Sequence, residues 1–412
     1  MIVGTVSAAV VVVRNRRRVR LFAGKVVFMR CSVRRRDRLF ERKKRALAGI
    51  VAPRFSEHQS PWRSGPHTPK LRGVQMSSAS EFLERLRRDG WVRSSQARLT
   101  PLSGGVSSEI YLVEDDTERF VVKRALPKLK VRDDWFADVS RNASEHACLE
   151  CVGRLLPGVV PRVRFANAEA GYFGMEYLGD GFANWKQLLL HGVFEVRHAR
   201  RAGLVLGEIH RRTAGDAELQ RCFDTTANFH QLRTAPYLLT SGERQPALRD
   251  YFVAEARRLE ATRECLVHGD FSPKNILLAN ERLVVLDCEV AWYGDPAFDA
   301  AFLLNHLFLK RLYHAPRGGE LRELIGEFWR EYLTARPAPG EGWEERVVNL
   351  LLLLLLARVD GKSPVEYLDP RRVQFVRDFV RGCFPAGDRT LRTLVDAWFA
   401  RTHAFPAPAQ RS

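Results

Sequence analysis

The spacing of apolar positions divides the chain after residue 76 into two regions of different secondary structure. In the first region, residues 79–89 carry apolar side chains at helical spacing. Residues 97–126 instead alternate apolar and polar positions in short runs, broken by a Gly/Ser turn and an acidic turn, which is typical of strands. A helix over 138–156 and two strands within 158–178 follow. We therefore expect a small β-rich lobe that contains one further helix.

The second region keeps a helical period for most of its length. Residues 185–191, 196–214 and 246–262 are the main predicted helices, and a hairpin that ends in the strand "RLVVLD" interrupts the later part. The leucine run within 349–362 is too short to span a bilayer and is predicted to be a buried helix. Ligands commonly bind in the cleft between two such lobes.

The predicted fold class is therefore α+β, with a small β-rich N-lobe and a larger, mainly α C-lobe. The expected bounds are a nucleotide-binding N-lobe at 76–178, a hinge at 179–184, a C-lobe with the catalytic loop and substrate site at 185–400, and a tail at 401–412.

Charge is distributed unevenly along the 412 residues. The formal charge is +18, but residues 1–75 contain 19 Lys and Arg against 3 Asp and Glu, so the remainder is close to neutral. A nearly neutral folded part does not have the basic footprint of a nucleic-acid-binding protein. No membrane association is predicted either, because the apolar residues 2–13 are too short to cross a bilayer.

Residues 1–75 allow three interpretations. They can be a targeting or arginine-rich interaction arm, a disordered basic tail, or a stretch that precedes the natural start of the protein. The third is favoured because Met76 opens "MSSASEFLERLRRDGW", a serine-rich helix start. The seven cysteines are scattered and Cys148 and Cys151 lack a second pair at zinc spacing, so we expect buried thiols in a reducing cytoplasm.

The stretch "LVHGDFSPKNILL" at 266–278 places several chemical side chains between two apolar runs. Asp270 is a candidate proton acceptor for a hydroxyl group. Asn275, five residues later, and Asp287, at the end of "RLVVLD", offer hard oxygen ligands suited to Mg²⁺. Glu289 is two residues beyond Asp287, so in an extended segment both side chains share a face. This is the arrangement that phosphoryl transfer requires.

Matching elements precede this loop in the sequence. A Gly/Ser turn between two strands can lay backbone N–H groups over phosphates; its candidate residues are Ser103, Gly104, Gly105 and Ser107. Lys123, in the next strand, can pair with the α- and β-phosphates. Glu145, in the following helix, can hold that lysine by an ion pair.

The segments "VHGDFSPKNILL" and "VVLDCEVAWYGDPAFDAAFL" resemble the aminoglycoside phosphotransferase family, which has a bilobal protein-kinase-like fold. The resemblance covers about residues 95–390. It implies that Asp270 is the catalytic base, that Asn275 and Asp287 hold Mg²⁺, and that Lys123 contacts ATP. In "GMEYLGDG", backbone groups of Glu176 and Leu178 would bind adenine.

The same resemblance suggests roles for neighbouring residues. Asp299, in the segment "GDPAFD", would brace the catalytic loop, as would His268. Lys274 is assigned to the catalytic set, pointing either to the γ-phosphate or to solvent. The stretch 121–150 is also similar to methylthioribose kinases, including the spacing of Arg141 and Glu145, but the loop after Asp270 departs from that subgroup.

Candidates for binding the acceptor are Arg358, Asp360 and Trp292. The first two follow the leucine-rich helix, where they either face the cleft or are ordinary solvated charges before the helix stop at Gly361. Trp292 either stacks on a substrate ring or belongs to the core.

The sequence thus predicts an ATP- and Mg²⁺-dependent enzyme that phosphorylates a hydroxyl group of a small molecule. The alternative is a non-catalytic, pseudokinase-like nucleotide-binding or scaffold protein. The presence of Lys123, Asp270, Asn275 and Asp287 together favours the enzyme. A protein kinase is disfavoured because the segment after Asp287 leads directly into "GDPAFD", with little room for an activation loop.

Overall fold

Two regions of secondary structure follow one another in the computed structural model, which describes residues 79–102, 108–126, 138–336, 340–385 and 389–406. The N-terminal region contains α1 (Ala79–Arg88), β1 (Arg98–Pro101), β2 (Ser108–Glu114), β3 (Arg119–Ala125), α2 (Arg141–Leu155), β4 (Val163–Asn167) and β5 (Tyr172–Glu176). Its strands form one antiparallel sheet in the order β1-β2-β3-β5-β4.

Strand β3 is central in this sheet, and its two faces make different contacts. Phe120 and Val122 join the apolar cluster under α1. Because side chains alternate along a strand, Lys123 lies on the opposite face, where it reaches α2. The pattern of apolar positions therefore already determines which side of the sheet carries the buried lysine.

The C-terminal region is mainly helical. Its helices in the described ranges are α3 (Trp185–Leu190), α4 (Val196–Thr213), α5 (Ala217–Cys222), α6 (Thr226–Phe229), α7 (Thr240–Arg244), α8 (Arg249–Ala261), α9 (Ala297–His314), α10 (Leu321–Ala335), α11 (Trp343–Asp360), α12 (Pro370–Arg381) and α13 (Leu391–Thr402). A π-helical stretch, His230–Leu239, joins α6 to α7, and 3₁₀ turns occupy Pro246–Leu248 and Pro273–Asn275.

Short strands within this helical region hold the loop of interest. They are β6 (Ala183–Asn184), β7 (Cys265–Val267), β8 (Ile276–Ala279), β9 (Arg282–Val285) and β10 (Trp292–Gly294). Strands β8 and β9 form an antiparallel hairpin with β6 on its other edge, and β7 pairs with β10. The segment between β7 and β8 is therefore fixed at both ends by strand pairing.

The helical core is built around α9 and α11, which are buried along most of their length. Helix α4 packs closely on α10 because two glycines remove side chains from the contact: a Cβ on Gly203 would lie 2.4 Å from the Phe328 carbonyl oxygen, and one on Gly207 would lie 2.6 Å from Ala335 Cβ. The leucine-rich helix was predicted to be buried, and α11 is. In the described part of the chain, every helix is too short or too polar to cross a bilayer.

Candidate active site

The loop between β7 and β8 turns sharply at Gly269, whose φ of +76° favours glycine. A Cβ at this position would also lie only 2.6 Å from the carbonyl oxygen of Val290. The turn is held by Asp299, in the first turn of α9 and fully buried, whose carboxylate accepts hydrogen bonds from the N–H groups of His268 (2.7 Å) and Gly269 (2.9 Å). Asp299 thus has the contacts of a loop brace.

His268 fixes the same loop through its ring. Its Nδ1 accepts a hydrogen bond from the Asp270 N–H at 3.1 Å, so the proton is assigned to Nε2, which donates to the Leu286 carbonyl at 3.0 Å. Burial lowers the pKa of His268, in spite of the nearby Asp299, and keeps the imidazole neutral. These contacts are those of a positioning residue.

The carboxylate of Asp270 lies between two cations. Its Oδ2 is 3.1 Å from Nη2 of Arg233 and 3.5 Å from Nζ of Lys274. Lys274 Nζ is also 3.9 Å from Asp287 Oδ2, and the charge of Asp270 raises the pKa of Lys274. Lys274 therefore lies between the candidate base and the candidate metal ligand rather than directed away from both.

Arg233 was not predicted from the sequence. It is buried, and its Nε donates to the Gly269 carbonyl at 2.5 Å while Nη2 pairs with Asp270. Nothing in the local pattern marks it, because it lies on the π-helical stretch 37 residues before Asp270 and meets that residue only in the folded chain.

Lys123 joins carboxylates from the two regions of the protein. Its Nζ is 2.7 Å from Glu145 Oε2 on α2 and 2.5 Å from Asp287 Oδ1, which follows β9. Burial alone would lower the pKa of Lys123, but the two carboxylates outweigh it and hold that pKa well above its usual range. Burial would raise the pKa of Asp287; the charges of Lys123 and Lys274 prevail and keep it well below its usual range.

Three carboxylates meet at this point, those of Glu145, Asp287 and Glu289, each with an oxygen within 4.8 Å of the other two. Glu289 is paired with Arg141 of α2, Nε to Oε2 at 3.2 Å. Burial raises the pKa of Glu145 to about 7, even with Lys123 in contact. Asp287 has a φ of +64°, a backbone conformation that is unfavourable for residues other than glycine. The backbone is therefore strained at the residue that carries this carboxylate.

Asn275 uses one end of its amide on the loop itself. Its Nδ2 donates to the Asp270 carbonyl at 3.1 Å, so Oδ1 is the side-chain atom that could bind a metal ion. The hairpin hydrogen bond from the Leu286 N–H to the Asn275 carbonyl, at 2.8 Å, places Asn275 beside the start of the Asp287 segment. The clustered carboxylates and this amide oxygen are a hard-oxygen donor set that fits Mg²⁺.

The two residues predicted to bind adenine, Glu176 and Leu178, lie at and just after the end of β5. The N–H of Glu176 donates to the Arg162 carbonyl at 2.9 Å, and its side chain reaches Arg282 at 3.5 Å. The Glu176 N–H is therefore not available to adenine. If Glu176 binds adenine as predicted, it would do so through its backbone carbonyl. Leu178 follows β5 by two residues. The predicted phosphate-binding residues lie outside the described ranges: Ser103, Gly104, Gly105 and Ser107.

Two of the three predicted substrate residues are engaged elsewhere. Trp292 is fully buried, with its ring stacked 3.7 Å from that of Phe229, so it packs in the core rather than on a substrate. Asp360 is buried in an ion pair with Arg377 at 2.6 Å and accepts a hydrogen bond from Gln245 at 2.7 Å, which satisfies its charge within the helical region. Arg358 contacts the hydroxyl of Tyr237 at 3.1 Å.

Replacement of Asp299 by alanine is expected to destabilise the protein by about 2–4 kcal/mol, because the N–H groups of His268 and Gly269 would be left buried and unpaired. Chemical unfolding of the purified variant measures the loss. Asp299→Asn, which keeps one acceptor oxygen, should lose less. Equal stability of Asp299→Ala and the unaltered protein would show that the carboxylate does not hold the loop.

Comparison with known proteins identifies the family to which this chain belongs. The family model described as "Phosphotransferase enzyme family" matches residues 98–345. Methylthioribose kinase of Yersinia pseudotuberculosis is 25% identical over 265 residues, or 56% of this chain and 64% of the relative, so the match spans less than two thirds of that protein. Methylthioribose kinase of Exiguobacterium sibiricum is 22% identical over 67% of this chain and 77% of the relative.

A solved structure shows the same architecture. An amicoumacin kinase, in complex with AMP-PNP, Ca²⁺ and Ami, aligns with a TM-score of 0.50 at 13% identity, over 77% of this chain and all of the other. This likeness confirms the predicted α+β, protein-kinase-like fold. Since the family model covers the N-terminal sheet, the loop between β7 and β8 and the three clustered carboxylates, the chain belongs to the phosphotransferase enzyme family.

Proposed function

We propose that this protein is an ATP- and Mg²⁺-dependent kinase that transfers the γ-phosphate of ATP to a hydroxyl group of a small molecule. The observation that carries this is the connection of Lys123 to Glu145 and Asp287, with Asp287 and Asp270 both within reach of the Lys274 ammonium. Nucleotide-binding, metal-binding and proton-accepting groups are thus adjacent.

Each residue can then be given a task. Asp270 accepts the proton of the acceptor hydroxyl and orients its oxygen towards the γ-phosphate. Lys123, held by Glu145, binds the α- and β-phosphates, and Lys274 neutralises charge at the transferred phosphate. Asp287 remains ionised because cations surround it, which suits a metal ligand.

Mg²⁺ would be held by Asp287 and Asn275, with Glu289 beside them, and would neutralise the negative charge of the phosphates. Arg141 keeps Glu289 on the side of α2 through the 3.2 Å ion pair. His268 and Asp299 take no proton in this scheme; they hold the loop so that the Asp270 carboxylate meets the acceptor.

The test is a screen of the full chain for ADP formation with Mg·ATP and hydroxyl-bearing compounds, including methylthioribose, aminoglycosides, choline, sugars and sugar acids. We expect ADP formation that depends on one acceptor class, with a phosphorylated product detected by mass spectrometry. Binding of Mg·ATP without any transfer would instead support the pseudokinase alternative, and binding of neither ATP nor Mg²⁺ would contradict both.

A further inference from the structure

Lys310 is a buried lysine that the proposed chemistry does not use. It lies on α9 and is 0% exposed, and its Nζ is buried without a hydrogen-bond acceptor among the described residues. Its nearest aromatic partner is the ring of Tyr367, whose centroid is 3.8 Å from Nζ. A buried ammonium without a counter-ion lowers the stability of a folded protein, so the lack of an acceptor for Lys310 among the described residues requires an explanation.

The charged groups around Lys310 do not balance it. Lys186 and Arg358 are cations, and the carboxylate that acts on Lys310, that of Glu366, is already in a 2.6 Å ion pair with Lys186. One turn earlier on α9, His306 faces mainly cations as well, with Arg358 and Lys310 the strongest. Burial lowers the pKa of Lys310 to about 7, and the neighbouring cations contribute to the shift.

This group, hereafter the α9 cationic cluster, comprises Lys310, His306, Arg358 and Lys186. Three buried polar atoms in or beside this cluster have no hydrogen-bond partner among the described residues: Nζ of Lys310, Nε of Arg358 and the hydroxyl of Tyr367, whose ring contacts Lys310. Three donors without acceptors, in a region with an excess of positive charge, are what an absent anionic group would satisfy.

The α9 cationic cluster is continuous with the candidate active site. Arg358 Nη1 is 3.1 Å from the Tyr237 hydroxyl, and the guanidinium of Arg233 lies 5.5 Å from the centroid of the Tyr237 ring. Arg233 in turn pairs with Asp270 at 3.1 Å. Adjacent side chains therefore connect the candidate base to Arg358, whose charge also acts on Lys310.

We propose that the α9 cationic cluster binds an anionic group, a carboxylate or a phosphate, of the phosphoryl acceptor, while the acceptor hydroxyl lies at Asp270. This rests on the proposed function and specifies its substrate class: hydroxy acids and phosphorylated polyols rather than cationic or neutral alcohols. The anion accepts hydrogen bonds from Lys310 and Arg358. Lys310, neutral in part when the site is empty, takes up a proton as the anion binds.

The experiment compares matched acceptors on the full chain with Mg·ATP: gluconate with glucose, and ribose 5-phosphate with ribose, beside kanamycin and choline. The first pair tests a carboxylate and the second a phosphate. We expect at least one anionic compound to be used with a KM about tenfold or more below that of its neutral partner. Calorimetric titration of the same compounds, with Mg·AMP-PNP present, measures binding without turnover.

Lys310→Met is the diagnostic variant because it keeps most of the length of the unbranched side chain and removes the charge. It should raise the KM and the Kd of the anionic acceptor about tenfold or more, with kcat within about threefold and the KM of ATP unchanged. Lys362→Met, the same change just beyond the end of α11, is the matched control and should leave all these values unaltered.

The outcomes separate the two proposals. Transfer to a neutral or cationic acceptor that is unaffected by Lys310→Met would leave the kinase function standing and overturn the anion site. Binding of an anionic compound that Lys310→Met abolishes, without phosphate transfer, would leave the anion site standing and contradict the kinase function. Absence of calorimetric binding for gluconate and ribose 5-phosphate alike would overturn the anion site.

Stability gives an independent readout. The pKa of Lys310 is about 7 in the folded chain and near 10.5 in the unfolded one, so the penalty of protonation is fully present below about pH 7 and fades as the pH rises towards 10.5. The thermal midpoint of the unaltered protein should therefore rise relative to that of Lys310→Met between about pH 6 and pH 9. His306, Tyr367, Lys186, Arg358 and Glu366 face Lys310 and are present in both proteins.

At about pH 6 we also expect Lys310→Met to have the higher thermal midpoint, because it removes a buried unpaired charge. If Lys310 instead served the fold through its contact with the Tyr367 ring, the variant would be less stable at every pH. Lower stability of the variant at every pH would contradict the proposed anion site, because an unpaired ammonium at Lys310 should destabilise the protein when no anion is bound.

Discussion

Asp270→Asn is expected to lower the rate of phosphoryl transfer by about 10³-fold, the range in which loss of a general base falls. Asparagine has the same shape and keeps an oxygen near Arg233 and Lys274, but it cannot take up the proton of the acceptor hydroxyl. Nucleotide binding should change little, because Asp270 pairs with Arg233 and Lys274, whereas the lysine proposed to bind the phosphates, Lys123, pairs with Asp287. Single-turnover ADP formation, with nucleotide binding measured by calorimetry, checks both parts.

Two controls accompany this variant. Asp250→Asn makes the same change at an exposed position in the first turn of α8 and should have the activity of the unaltered protein. The thermal midpoint of Asp270→Asn should fall, because the buried guanidinium of Arg233 loses its carboxylate partner. An Asp270→Asn protein that transfers phosphate at the original rate would show that another group accepts the proton.

The second large effect is expected at Asp287. Asp287→Asn should weaken the apparent affinity for Mg·ATP and lower kcat/KM by about 100-fold or more, since a bound metal ion stabilises the charge of the phosphates by several kcal/mol and Asp287 is proposed to hold it. The effect differs in kind from that at Asp270: raising the Mg²⁺ concentration should recover part of the activity of Asp287→Asn and none of that of Asp270→Asn. A magnesium titration of initial rates distinguishes the two.

A comparison variant is available in the same ion-pair system. Glu145→Gln removes a carboxylate from Lys123 but leaves Asp287 in place, so it should raise the KM of ATP while the magnesium dependence stays close to that of the unaltered protein. If Asp287→Asn and Glu145→Gln had identical magnesium titrations, Asp287 would not be distinguished as the metal ligand.

The features that sequence alone predicted are those encoded over short distances. The alternation around β2 and β3 predicted the strand that carries Lys123, and Asn275 follows Asp270 by only five positions. The bilobal α+β fold could be predicted because a short region with the alternating pattern of strands precedes a longer region with the period of helices. The roles of Asp270, Asn275 and Asp287 remain predictions, although their positions side by side are what such roles need.

What the sequence did not reveal depends on long-range packing. Arg233 pairs with Asp270 because the π-helical stretch holds its side chain in the interior, and the charge of Arg358 acts on Lys310 because α9 and α11 pack together. Trp292 and Asp360 show the converse. Both looked available for a ligand in the sequence: Trp292 follows the candidate metal ligand Glu289, and Asp360 ends an apolar helix. In the folded chain, Trp292 stacks on Phe229 and Asp360 pairs with Arg377.

The double contact of Lys123 has a consequence for the order in which ligands bind. The Lys123 ammonium is already paired with Glu145 and Asp287, so under the proposed function the phosphates of ATP would compete with Asp287 for it. A metal ion bound by Asp287 would then release Lys123 for the nucleotide, so we expect metal and nucleotide to increase each other's affinity. Such coupling is reciprocal: whatever factor Mg²⁺ adds to the affinity for ATP, ATP adds to the affinity for Mg²⁺.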